Sequence, residues 1–210
     1  MLRARRHIAI ALGATLALLG ATVGATPALG ANADACGTIT QHTLAKAFEL
    51  SKTIEHKALL REPGDPSGVI QERCNAFAYT GAKPTSSAKR RASLLAGTGA
   101  EVKIETWVAD SGPSAEVWLA NFDRKLEALK KQAKTQYVEG LGGSTYQPAR
   151  FGAEGSAGYR GNAGALRKAR VIWWQRSSGT LIVMSAVEAK SKPLPASLLT
   201  LGATIVPGVL

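Results

Sequence analysis

Cysteine and histidine are scarce in this chain, with two Cys and three His in 210 residues. That scarcity bounds the chemistry. Cys36 and Cys74 stand too far apart for a CxxC metal or redox centre. His42 and His56 have no HxH or HxxxE partner at ligand spacing, so no zinc site is expected. A nucleophile elbow is also missing. Ser144 would need glycine two residues on and has Tyr146 there, while Ser156 has Glu154 two residues before it. Two histidines without a matching nucleophile do not assemble a triad, and the carboxylates do not pair in any motif. We expect no catalytic residue, no metal ligand and no cofactor-binding residue.

The stretch YVEGLGGSTYQP, Tyr137 to Pro148, comes nearest to a functional loop. A phosphate cradle needs glycines after a strand and before a helix, where free N–H groups converge. Here the glycines follow a helical pattern, at the carbonyl end, which repels anions. Thr145 also stands where a dinucleotide fingerprint has its third glycine. The stretch reads as a helix-terminating turn, with Gly140 leaving helical geometry and Gly142-Gly143 allowing a tight return.

What the chain does have is an export signal. Arg3, Arg5 and Arg6 precede the apolar run IAIALGATLALLGATVGA, and Ala31-Asn32-Ala33 supplies the small-residue end of a cleavable leader over 1–33. At 18 residues with three glycines the run is marginal as a membrane span, so contact with a membrane is expected only if the leader is retained. Asp34 is out of place for lipid attachment at Cys36. In an oxidising compartment, two cysteines are most simply one bridge, Cys36–Cys74. Closing that loop would stabilise the fold by roughly 3–4 kcal/mol through the unfolded chain. Residues 34–210 then form one exported domain, secreted or held at the cell surface, large enough to bury a core.

Its charge is positive. The whole chain carries 26 Lys and Arg against 15 Asp and Glu, and loss of the leader arginines leaves a net of +8. Outside the cell that balance suits anionic lipid or glycan, or an acidic protein partner, and not nucleic acid.

Periodicity supplies the elements. ITQHTLAKAFEL reads as a short helix with Thr40 as N-cap, followed by a strand near Thr53 to Leu60. REPGDPSG is a loop, VIQERCNAFAY a strand, and AKPTSSAKRRAS a polar basic loop. VKIETWVAD alternates as a strand, and Leu119, Phe122, Leu126, Leu129 and Ala133 form the stripe of a long helix. ARVIWWQRSSGTLIVMSAV reads as a hairpin apolar on both sides, and a terminal apolar helix spans roughly Ala196 to Ile205. The implied order is α-β-β-β-α-β-β-β-α, an α+β fold.

Four features carry a resemblance. Cys36 stands before a helix of the ITQHTLAKAF type, and Cys74 sits in a strand followed by Phe77 and Tyr79. Val138-Glu139-Gly140-Leu141-Gly142 follows the long helix, and SSGTLIVMSAV precedes a terminal apolar helix. This pattern resembles small exported domains of actinobacterial cell envelopes, some of which serve as extracellular sensor domains of serine/threonine kinases. The resemblance implies a two-layer antiparallel sheet with packed helices and a repeat of helix plus three strands. It implies no catalytic residues.

Three functions remain open. A non-enzymatic envelope protein would bind an amphipathic or anionic ligand, or a protein partner, on an apolar sheet face. Trp107, Arg170, Trp174 and Arg176 are its candidate ligand residues. The alternatives are a small secreted hydrolase and a structural envelope protein acting through self-association.

Overall fold

The computed structural model describes Gly37 and residues 41–210. The leader, the Thr40 cap and Cys36, and with Cys36 the expected bridge to Cys74, lie outside the described residues. In chain order the elements are α1 (Gln41–Phe48), β1 (Lys52–Arg61), β2 (Val69–Tyr79), α2 (Ser87–Leu95), β3 (Gly99–Ala109) and α3 (Ala115–Ala133). A π-helical turn, Lys134–Glu139, extends α3. Then come β4 (Ser144–Tyr146), β5 (Gly155–Ala163), β6 (Leu166–Gln175), β7 (Thr180–Ala189) and α4 (Leu194–Val209).

The seven strands form one antiparallel sheet in the order β1-β2-β3-β7-β6-β5-β4. Two meanders therefore meet at a central seam, where Ile104 of β3 pairs with Met184 of β7. The α+β class stands. The expected order does not, because α2 interrupts the first three strands and the second meander has four strands, β4 being only three residues long.

The two-layer expectation also gives way. Side chains alternate across a strand, so each strand can serve two cores. Ile104, Ala169, Trp173, Ile182 and Met184 pack beneath α1 and α4, against Leu44, Phe48, Leu198, Leu201 and Ile205. Their alternates Trp107, Ile172, Leu181 and Val183 pack on the opposite face beneath α3, against Trp118, Phe122, Leu126 and Leu129. Helices thus cover both faces in three layers, which is why β6 and β7 are apolar on both sides.

Trp173 is the largest side chain in the core with no exposure. Its indole N–H donates to Ala149 O at 2.8 Å, and its ring lies 6.2 Å from that of Phe151. Gly202 of α4 lets the helix come this close, since a Cβ there would stand 2.9 Å from the Trp173 ring. The helix α4 runs to Val209, past the expected end near Ile205 and through Pro207. The missing N–H falls in the last turn and its intrahelical acceptor would be in exposed Ala203, so water can satisfy that carbonyl.

The segment read as a loop, Ala82 to Ser93, holds most of α2, which runs on to Leu95. Ser86 Oγ accepts from Lys89 N at 3.2 Å and caps its start. Leu94 is the buried anchor of this helix. One anchor among many charges gives almost no apolar period, yet contact with the sheet holds the helix in place.

Candidate functional site

The residues expected to form a ligand face lie mostly beneath α3. Trp107 is 4% exposed, and Lys125 Nζ sits 4.8 Å from its ring centroid. Arg170 Nε donates to Ser185 Oγ at 3.0 Å and Arg170 Nη1 to Gln132 Oε1 at 3.3 Å, with Tyr137 against the guanidinium. Trp174 is half-buried under Lys130, whose Nζ is 4.3 Å from the ring centroid. Arg176 stands apart in the 176–179 turn. It donates to Asp123 at 2.8 Å and pairs with Glu154, tying the hairpin to α3. The hairpin does align Ile172, Trp174, Leu181 and Val183 on one face, as Ile172↔Val183 and Trp174↔Leu181 pairs.

The hydroxyls weighed as nucleophiles are structural ties. Ser144 Oγ accepts from Arg160 Nε at 3.0 Å. Ser156 Oγ donates to Pro148 O at 2.8 Å and accepts from Gln147 Nε2 at 2.9 Å. The glycine-rich stretch closes the end of α3. Gly140 N donates to Thr135 O, and Gly143 N to Tyr137 O. A Cβ on Gly143 would collide with the Arg160 carbonyl. Among the described residues, no three His, Cys, Asp or Glu side chains converge to hold a metal ion.

Helix α3 covers only part of its face. At the other end of the sheet α2 packs over Phe77, and among the described residues the clusters beneath α3 and α2 remain separate. A groove of about 670 Å³ opens there, beneath α2. Its floor follows from strand register. Ile54 pairs with Phe77, Phe77 with Glu101, Glu101 with Val187, and Val187 with Lys168, one transverse row over five strands. Leu94 of α2 and Leu166 of β6 complete its apolar surface. The neighbouring row is polar: His56, Asn75, Lys103, Ser185 and Arg170.

Cations rim the groove. Arg90 and Arg91 lie four and three residues before the buried Leu94, on the same side of α2, and Lys168 faces them from β6. The Arg90 guanidinium stands 5.7 Å from the Phe77 ring centroid. Alternation turns Glu55 to the opposite face, leaving Glu101 as the carboxylate that points in. The site is mostly apolar below, with Glu101 as the one carboxylate in its floor, and positive above. KRR at Lys89 to Arg91 was legible as a charge run, but the helix that aims it at Phe77 was not.

No protein-family model matches the chain, and no curated protein matches it significantly. No helix among the described residues is long and apolar enough to cross a membrane.

Proposed function

We propose that the chain is an exported envelope protein that binds an amphipathic anion in the groove beneath α2. The observation that carries this reading is the pairing of a mostly apolar floor (Ile54, Phe77, Leu94, Leu166 and Val187, broken by Glu101) with three cations at its rim, which outnumber that one carboxylate. An alkyl or prenyl segment fits the floor, contributing about 0.8 kcal/mol for each methylene removed from water. An acidic head fits Arg90 and Arg91, whose guanidiniums match carboxylate or phosphate geometry. The groove's size lies in the range of small-ligand sites, and the positive balance of the chain points the same way.

A fluorescent long-chain fatty acid is the direct probe. Saturable binding that weakens at least tenfold in the Arg90→Glu, Arg91→Glu double variant, with the melting temperature kept, supports the reading. Both arginines are exposed, so the variant leaves the core intact. The same affinity in wild type and variant would refute it.

One observation favours a second reading, association through a sheet edge. The outer side of β1 pairs with no strand among the described residues, and its Leu59 and Leu60 are 47% and 43% exposed. Size-exclusion elution that moves to larger size with concentration would support that reading over the ligand one.

A further inference from the structure

A second cleft lies on the same sheet face, away from α2. It measures about 510 Å³ and is enclosed by one side of α3, the sheet floor and the loop between β1 and β2. The α3 side presents Val117, Asn121, Arg124, Lys125 and Ala128, spaced as one helical stripe beside the buried one. The floor is Val69, Gln71 and Trp107. The row of Arg73 and Glu105, with Lys103 paired to the same carboxylate, divides this cleft from the groove beneath α2.

Two of its three cations have no ion-pair partner among the described residues. Arg61, Arg124 and Lys125 line it, and no carboxylate does. Arg61 has a partner, Asp65, at 3.2 Å. Arg124 and Lys125 make no ion pair among the described residues. Glu105, the carboxylate that acts on Lys125, already accepts from Arg73 at 2.9 Å and Lys103 at 3.0 Å. Burial over the Trp107 ring pushes the Lys125 amine below its ordinary value; Glu105 opposes that fall and Arg61 adds to it. An ammonium taken partly out of water without a counter-ion is costly, and a bound anion removes the cost.

We propose that this cleft binds a small phosphomonoester dianion, held by Arg61, Arg124 and Lys125 above the Trp107 indole. Two unpaired cations match a double negative charge better than the single charge of a carboxylate. The guanidiniums of Arg61 and Arg124 offer paired N–H donors to tetrahedral oxygens, and Lys125 supplies a point charge. The Gln71 and Asn121 amides line the same space for the hydroxyls of an ester's organic part. The site is independent of the α2 groove and does not require that groove to be occupied.

The probes are inorganic phosphate and glycerol 3-phosphate at low ionic strength, read by tryptophan fluorescence, since Trp107 and Trp118 line the cleft, and by calorimetry. Vesicles with and without phosphatidic acid form a parallel arm. The expected result is saturable binding of glycerol 3-phosphate that chloride at equal ionic strength does not reproduce, reduced at least tenfold by Lys125→Gln and by Arg124→Gln. Binding of the soluble ester assigns the site to a free phosphate compound. Binding confined to phosphatidic acid vesicles, and lost in the same variants, assigns it to a lipid headgroup. Should either variant fail to fold, the wild-type Lys125 amine, followed by nitrogen NMR, must titrate at higher pH once glycerol 3-phosphate or the vesicles are added. No saturable signal from any phosphate probe, or unchanged affinity in both variants, overturns the proposal.

Discussion

Glu188 should make the protein less stable as the solution turns from mildly acidic to mildly basic. It lies on β7 at 2% exposure, on the α1/α4 face, and its Oε1 has no hydrogen-bond partner. Burial pushes its carboxyl from 4.5 up to about 7, while Lys192 and Arg167 pull it down and Glu49 pushes it up. The folded state therefore keeps a proton that the unfolded chain gives up. Stability from this group is complete below the unfolded value of 4.5 and is lost as pH rises through the folded value of about 7. Each unit of pKa difference corresponds to about 1.4 kcal/mol, so the full swing is about 3 kcal/mol. Glu188→Gln removes the titrating proton at little change in shape. Urea unfolding of both proteins from pH 4.5 to 8 should give curves that nearly coincide at the acid end. They should separate by about 3 kcal/mol in favour of the variant at the basic end. Taking the difference between the two proteins cancels the titrating groups that do not act on Glu188. Parallel curves would refute the reasoning, and so would a variant less stable at pH 8, which would mean that Arg167 and Lys192 hold the carboxylate ionised.

Two further outcomes follow from packing and from compartment. Gly202→Ala gains about 1 kcal/mol of helix propensity but drives a methyl toward the Trp173 ring. Overpacking of a closed core costs about 1–3 kcal/mol, so a net fall in melting temperature is expected, and a rise would show that the ring yields freely. Thiol labelling of protein purified from an oxidising compartment should find no reactive cysteine in urea, because Cys36 and Cys74 are expected to be joined. Two labelled thiols would refute the bridge.

Much of the sheet was legible because its strands have a period that sequence displays. Val69 to Tyr79 was read with both ends right, and Val102 to Val108 with the right alternation. The last hairpin was correctly read as apolar on both sides, but its two faces are covered by separate helical layers, α1 and α4 on one and α3 on the other, where two layers in all were expected. The missed elements are those whose apolar partners lie far away in the chain. β5, Gly155–Ala163, has few large side chains of its own. The Trp174 ring lies over Gly155 and the Tyr146 ring over Gly158, so neighbouring strands supply the bulk. The candidate groove was hidden for the same reason. Ile54, Phe77, Glu101, Val187 and Lys168 are scattered along the chain and meet only through register. Trp107, Arg170 and Trp174 did share a face, but α3 covers much of it and leaves only Trp107 at the floor of the cleft beside the helix.

The seam between the meanders sets the order in which the molecule can be completed. β1, β2 and β3 are all made early, yet the free side of β3 stays open until β7 has been synthesised, because Ile104 must wait for Met184. Until then an apolar strand edge stands bare in the middle of the future sheet, open to the wrong neighbour. Chains of this topology are therefore most prone to clump in the interval before the last hairpin is delivered, and a holding factor acting on that interval would raise the yield of folded protein.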